Sequence, residues 1–467
     1  MTIDPTHLSA RDLAFRVGAG LIRAEAVAEA TLARVAATNG QINAIVDLCQ
    51  EEALAAAREV DRSVADGTPV GGLAGVPVTI KVFSDQKGHA TTNGTTLGRD
   101  LIAEHDAPFV AQMRTDGALI VGRTNTPAFS YRWFTSNIVH GTTLNPHNAA
   151  LTPGGSSGGA AASVAAGYAV VAHGTDIAGS IRYPAYACGV HGLRPTPGRV
   201  PAYNASGPER GIGAQLMAVS GPIARRVDDL RVALEAMAGY SPDDPMTAPV
   251  PLTGPAVARR VAVMRTLEGR PVDPRIAADI DRAAAIFRAA GWTVEEPTPP
   301  PLAEAMELQI DLWFSDAFAA QMAAAEREGD AGALTALRRN AAQAARFDTD
   351  RFSEVFRRRS ALMRAWRRFT ADYPVVLMPV SAELPFQRDE DLAGDAALER
   401  IWRAQIAQIA LPLVGLPAMS VSTGLVNGVP SGVQLVAAPW REDVCLAAGE
   451  VLEAAFGIPP LAGGSSD

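Results

Sequence analysis

The chain has little cysteine: Cys49, Cys188 and Cys445 are the only three in 467 residues, far apart and without CxxC spacing. That pattern indicates neither a disulfide framework nor a zinc site, and leaves buried free thiols as the expectation. Positive charge is also short. Lysine and arginine number 41 against 50 aspartates and glutamates, for a formal net charge of −9. A surface of that sign is not built to neutralise phosphates, so no nucleic-acid partner is expected. Long hydrophobic runs are missing as well: the longest bland stretch, residues 160–172, is too short for a bilayer and is diluted by Ser163, Gly167 and Tyr168. The opening residues, MTIDPTHLSARDLAF, lack the basic start and apolar stretch of a signal peptide. These absences predict a cytoplasmic location and no membrane partner. Histidine, finally, does not occur after His191.

What is present is enough apolar material, 48% of residues against 19% charged, to bury a large core. Large α/β enzymes reach this length as one unit, and a single domain over 1–467 is expected. N-terminal helices are predicted over about 1–66: Ser9 and Asp12 form a capping pair, apolar residues recur at helical spacing through Ala26, Leu32 and Val35, and another helix covers about 50–66. Short β-branched runs follow in a core of about 70–240, VPVTIKVF at 76–83, ALIVG at 118–122 and YAVVAH at 168–173, with helical stretches between them. The proline-rich run at 240–256 reads as a surface crossover to a C-terminal lobe of about 257–460. That lobe holds a strand at 259–264, a helical region over about 265–371, VVLMP at 375–379, two turn-linked strands from LPAMSVSTG and GVPSGVQLVAA, and a closing helix from Glu442 to Phe456. The alternation predicts an α/β fold with a large mixed β-sheet covered by helices on both faces. In the helix around FRRRSALMRAWRRF, Phe352, Phe356, Met363 and Trp366 form an apolar face, and Arg357, Arg358, Arg359, Arg364, Arg367 and Arg368 a solvated one.

The most unusual stretch is TPGGSSGGAAASVAAG, residues 152–167, where small residues surround adjacent serines ahead of a helical pattern. Glycine-supported turns of this kind aim backbone N–H groups at an anion or an oxyanion. A phosphate-binding loop would need lysine after the second glycine, but Ala160 follows Gly159. A nucleophile elbow, G-x-S-x-G, is satisfied literally by Gly155, Ser157 and Gly159 and would make an α/β-hydrolase esterase. That fold takes its histidine base from later in the chain, so His173 and His191 would have to serve.

A third chemistry pairs a serine nucleophile with a lysine base. Lys81 lies inside the apolar strand pattern VPVTIKVF, where a lysine is out of place unless paired or functional. Burial disfavours its charged form and leaves an amine able to accept a proton. Taken alone, an edge-strand lysine that guards against aggregation would explain it equally well. A second serine motif, GTDIAGSIRYPA at 174–185, decides between the two: the N–H groups of Ile177, Ala178, Gly179 and Ser180 can cradle the oxyanion of an intermediate formed at Ser180.

GGSSGG, the Ser180 element whose serine lies 24 residues after Ser156, and the lysine of GVPVTIK together resemble the amidase signature family. TTNGT at 91–95, GRTNTPAF at 122–129, LNP at 144–146 and GLPAMSVSTG at 415–424 extend the resemblance over nearly the whole chain, with 265–410 matching loosely. The resemblance implies the amidase signature fold, Lys81 as base, Ser180 as nucleophile, and Ser156, in an unusual cis peptide, as the bridge between them. It further implies Ser157 as a hydrogen-bonding support, Asp176 and Arg182 as the pair that holds the nucleophile loop, and no metal or organic cofactor. FSYRWF at 129–134 lies where relatives place part of the substrate pocket, so Phe129, Tyr131, Trp133 and Phe134 are candidates for binding an apolar acyl group, with core packing as the alternative. Val82 stands where many members have Asp, Ala128 where Glu is frequent, and Ala178 where Gly is common, which puts a methyl group beside the expected oxyanion hole.

The reaction so implied is hydrolysis of a small amide, anilide or carbamate through an acyl-enzyme, by a monomer or a homodimer. The alternative from another class is the amidase component of a glutamine-dependent tRNA amidotransferase, which works inside a complex. A weak match over 300–330 to that component's glutamine-site segment counts against it.

Overall fold

The computed structural model describes residues 4–314 and 317–463. Eleven strands form one continuous sheet. In chain order they are β1 (Ile45–Leu48), β2 (Pro77–Lys81), β3 (Leu119–Thr124), β4 (Val171–Asp176), β5 (His191–Arg194), β6 (Val219–Ala224), β7 (Arg260–Val263), β8 (Thr293–Glu295), β9 (Val375–Pro379), β10 (Ala418–Val426) and β11 (Val429–Val436). Across the sheet the order is β1-β3-β2-β4-β6-β5-β10-β11-β9-β7-β8. Pairing is parallel between β2 and its neighbours β3 and β4, and between β7 and its neighbours β8 and β9; the other pairs are antiparallel. The sheet is therefore mixed, as expected.

Successive side chains of a strand point to opposite faces, and here both faces are covered. Val375 and Leu377 of β9 pack with Phe287 of the helix Pro274–Ala289 and Leu452 of the helix Glu442–Phe456. The intervening Val376 and Met378 pack on the other side with Trp366 of the helix Thr349–Asp372 and Leu411 of the helix Ile406–Val414. Burial on both faces is why these strands read as continuous apolar runs without alternation.

Several expectations hold at residue level: Ser9 Oγ caps the helix Ala10–Gly18 by accepting the Asp12 N–H at 3.0 Å, and the closing helix runs Glu442–Phe456. Others need correction. β1 interrupts the region read as helices over 1–66, and β8 interrupts the one read over 265–371. Both are very short, of four and three residues, too short for a strand period to show, and pairing with a longer strand makes them extended. Arg359 is half-buried and donates to the Leu413 carbonyl at 2.8 Å, whereas Arg357, Arg358, Arg364, Arg367 and Arg368 are exposed as expected. All three cysteines are buried and free. Among the described residues no helix is long and apolar enough to cross a membrane.

The topology places the site. Lys81 is the last residue of β2 and Asp176 the last of β4, and these strands are parallel neighbours, so their carboxyl ends open onto the same edge.

Candidate active site

Because β2 lies between β3 and β4, Lys81 is not an edge residue, and its side chain is fully buried. Its Nζ sits 2.7 Å from Ser156 Oγ and 2.9 Å from Thr175 Oγ1. These partners are neutral hydroxyls. Burial therefore dominates and pushes the amine down to about 7, against the opposing pull of the Asp176 carboxylate.

The glycines around Ser156 are there for space. A Cβ on Gly155 would lie 2.5 Å from the Arg132 carbonyl, and one on Gly154, whose φ is +78°, would lie 2.4 Å from Pro184 Cα. The Gly155–Ser156 peptide is cis. Ser157 stands at the N-cap of the helix Gly158–Ala165. Its N–H donates to the Ser180 carbonyl at 3.1 Å, and its Oγ accepts the Thr175 N–H at 3.2 Å and donates to the Thr175 carbonyl at 3.3 Å. The two serine motifs are thereby stitched side by side. No histidine bonds to Ser157 among the described residues: His173 accepts the Lys81 N–H and stacks on Phe109, and His191 accepts the Ser422 N–H. The nucleophile-elbow alternative has no base.

Asp176 and Arg182 form a bidentate pair, Nε to Oδ2 at 2.9 Å and Nη2 to Oδ1 at 3.0 Å, with no exposed surface. Arg194 adds a second guanidinium, donating to the Asp176 carbonyl at 2.6 Å. Burial alone would raise the Asp176 carboxyl, but Arg182, Arg194 and the Gly179 N–H outweigh it and hold it at about 2. Arg182 also reaches Gln434 Oε1 and the Gln408 carbonyl, tying the turn before Ser180 to β11 and to the helix Ile406–Val414. Sequence reasoning found the Asp176–Arg182 pair but not Arg194, Gln408 or Gln434.

The turn between Asp176 and Ser180 is held from outside. Gln309 of the helix Ala303–Phe314 donates to the Ile177 carbonyl at 2.9 Å, and Trp133 Nε1 donates to the Ala178 carbonyl at 2.8 Å. A trans peptide points its N–H opposite its carbonyl, so the Ala178 N–H is turned away from Gln309. Ala178 keeps a negative φ and carries its Cβ without strain, whereas Gly179 sits at +95°. The Gly179 N–H is already donated to Asp176 Oδ1 at 2.9 Å, which leaves Ile177, Ala178 and Ser180 of the four expected oxyanion donors.

Ser156 and Ser180 line one cavity of about 420 Å³. Phe83, Phe129, Tyr131, Leu312 and Trp313 form apolar wall, and Glu209, Arg210 and Gln321 add polar groups. Phe129 and Tyr131 line the same cavity as Ser156 and Ser180, and Phe129 and Ser130 both hold positive φ. Trp133 and Phe134 are not in the wall. Trp133 packs edge-on against Trp402 behind the Asp176–Ser180 turn and Phe134 stacks on Phe386, so both are core residues. Leu312 and Trp313 were missed because they come from a helix whose sequence carries no signal beyond amphipathic periodicity. Among the described residues, one group with metal-ligand spacing occurs, Asp47, Cys49 and His89, and none of the three lines this cavity.

A family model described as Amidase matches residues 26–446. The chain belongs to the amidase signature family. It is a hydrolase of amide carbon–nitrogen bonds. An indoleacetamide hydrolase of Bradyrhizobium diazoefficiens is 39% identical over 454 residues, 96% of this chain and 87% of that one. The corresponding component of the glutamyl-tRNA(Gln) amidotransferase of Anaeromyxobacter sp. is 32% identical over 97% of each chain. Among solved structures, a bacterial aryl acylamidase superposes with a TM-score of 0.83 at 26% identity over 96% of each chain.

Proposed function

We propose that this amidase hydrolyses small carboxamides with an aromatic acyl group, of the arylacetamide or indolylacetamide kind, through an acyl-enzyme on Ser180. The observation that carries the reading is the buried Lys81 amine, pushed down to about 7 and hydrogen-bonded to Ser156, which lines the same aromatic-walled cavity as Ser180. The similarity to an indoleacetamide hydrolase supports the substrate class. At about 420 Å³ the cavity is within the usual range of small-molecule sites.

In the proposed cycle neutral Lys81 accepts the Ser156 hydroxyl proton while Ser156 Oγ takes the proton of Ser180, whose Oγ bonds to the carbonyl carbon. Backbone N–H groups of Ile177, Ala178 and Ser180 receive the oxyanion, which is stabilised without reorganisation because Gln309 and Trp133 fix the turn. As the carbon–nitrogen bond breaks, the same relay returns the proton to nitrogen, so that ammonia or an amine leaves neutral. Water then adds to the ester along the same route and releases the carboxylic acid and free Ser180.

The test is turnover of indole-3-acetamide, an aliphatic amide, an anilide, an aryl carbamate, a nitrophenyl ester and glutamine by wild type, Ser180→Ala and Lys81→Ala. The reading expects the aromatic amides to be best and both variants inactive. Full activity in Ser180→Ala removes the nucleophile assignment. Turnover of glutamine alone would favour the amidotransferase reading.

A further inference from the structure

The loop after β2 meets the start of the helix Gln50–Ala65, and there the fold gathers side chains that the sequence keeps far apart. Cys49 follows β1 and stands at the N-cap of the helix Gln50–Ala65; Glu52 lies in that helix's first turn; Gln86 and His89 come from the loop between β2 and the helix Pro108–Thr115. We propose that Asp47, Cys49 and His89 form a binding site for a thiophilic divalent cation of the zinc class, with Glu52 and Gln86 as supporting groups.

One ligand atom of each of Asp47, Cys49 and His89 lies within 4.8 Å of the other two. Asp47 Oδ2 is 2.7 Å from His89 Nδ1, and Cys49 Sγ is 3.9 Å from the other ring nitrogen. Tetrahedral zinc with nitrogen and oxygen at about 2.0 Å and sulfur at about 2.3 Å needs its ligands roughly 3.3 to 3.5 Å apart. Side-chain adjustments of about an ångström reach that geometry.

The surroundings match those of metal ligands. Glu52 Oε1 lies 2.7 Å from His89 Nε2, on the side of the ring where Cys49 Sγ lies, and Asp47 holds Nδ1, so the cation takes one ring nitrogen and the carboxylate on the other orients the ring. Gln86 is fully buried and donates Nε2–H to Cys49 Sγ at 3.4 Å, a contact suited to a thiolate. Its Oε1 has no partner among the described residues. Arg114 on Glu52 at 3.0 Å and Arg123 at 3.9 Å from Asp47 oppose a cation, but a thiolate with the two carboxylates exceeds them by one negative charge. Asp47, with 37% of its side chain exposed, leaves an entry path. Thiolate and imidazole favour zinc, cobalt or copper over magnesium or calcium. Binding releases two protons to solvent, that of the thiol and the one on the ligating nitrogen of His89, both of whose ring nitrogens now donate to carboxylates, and it clamps the loop that follows the Lys81 strand onto the helix Gln50–Ala65. Because none of these residues lines the catalytic cavity, the proposal stands apart from the substrate reading.

The experiment uses the full-length protein, stripped with chelator, desalted and titrated with Zn(II) or Co(II). The site predicts about one ion retained per chain, a near-ultraviolet sulfur-to-cobalt charge-transfer band and a raised Tm. Cys49→Ser and His89→Gln should lose the ion and the band, and Ser180→Ala should keep both. The wild-type cobalt titration needs no variant to fold. If wild type retains no ion and shows no band, His89 is only an imidazole clamped between two carboxylates and the proposal is overturned. A band that persists in Cys49→Ser, or an equal Tm rise with magnesium, overturns it as well.

Discussion

Replacing Lys81 by methionine should abolish turnover and stabilise the fold at neutral pH. Lys81 is held at about 7 in the folded protein, against 10.5 for an unperturbed lysine, because burial strips its ammonium of water. Between those values the unfolded chain holds the proton and the folded chain does not, so stability rises with pH across this window. Above 10.5 both states are neutral and the cost vanishes; below 7 it is fully present. Integration puts the cost at about 4 kcal/mol at pH 7 and about 2 kcal/mol at pH 9. Lys81→Met removes it, but strands the Ser156 and Thr175 hydroxyls that now contact Nζ, at about 1 kcal/mol each. The variant should therefore be about 2 kcal/mol more stable than wild type at pH 7 and about equal at pH 9. Urea unfolding of both proteins at the two pH values measures this. The decisive quantity is the change in their difference, about 2 kcal/mol, because packing terms do not titrate and other ionisable groups cancel. A difference that stays constant with pH would refute a buried, neutral Lys81.

The same lysine predicts that kcat/KM falls about tenfold per pH unit below neutrality, as Lys81 gains a proton and can no longer accept one; a pH-independent profile would count against it. Thr175→Val removes an acceptor for Nζ and should lower kcat about tenfold with KM unchanged, with recovery in Thr175→Ser. Asp176→Asn leaves Arg182 and Arg194 buried without their carboxylate and should cost about 3 to 5 kcal/mol, read as a lower Tm. Trp313→Ala should raise KM for aromatic amides about tenfold and leave a small aliphatic amide unaffected; an equal effect on both would place Trp313 outside substrate recognition.

The sequence by itself determined the class of reaction and the class of fold. Lys81 stood out because an ammonium in an apolar strand costs too much without a use. GGSSGG and GTDIAGSIR stood out because close backbone approach permits only small residues, and the strand and helix periods of the longest elements were legible for the same local reason. Tertiary structure decided everything that depends on contacts between distant segments. β1 and β8 are strands because a neighbouring edge pairs with them, and nothing in IVDL or TVE requires it. Arg194, Gln309 and Trp133 hold the Asp176–Ser180 turn from a strand, a helix and a loop with no shared motif. Trp133 was legible as an aromatic near the site, but whether it faced substrate or the back of the turn depended on Trp402, more than two hundred residues on. Asp47, Cys49 and His89 likewise show no ligand spacing along the chain and meet only where β1 and the loop after β2 are folded together. Local sterics and burial cost are written residue by residue, whereas a cavity wall or a charge cluster is a sum over segments whose juxtaposition the whole sheet creates.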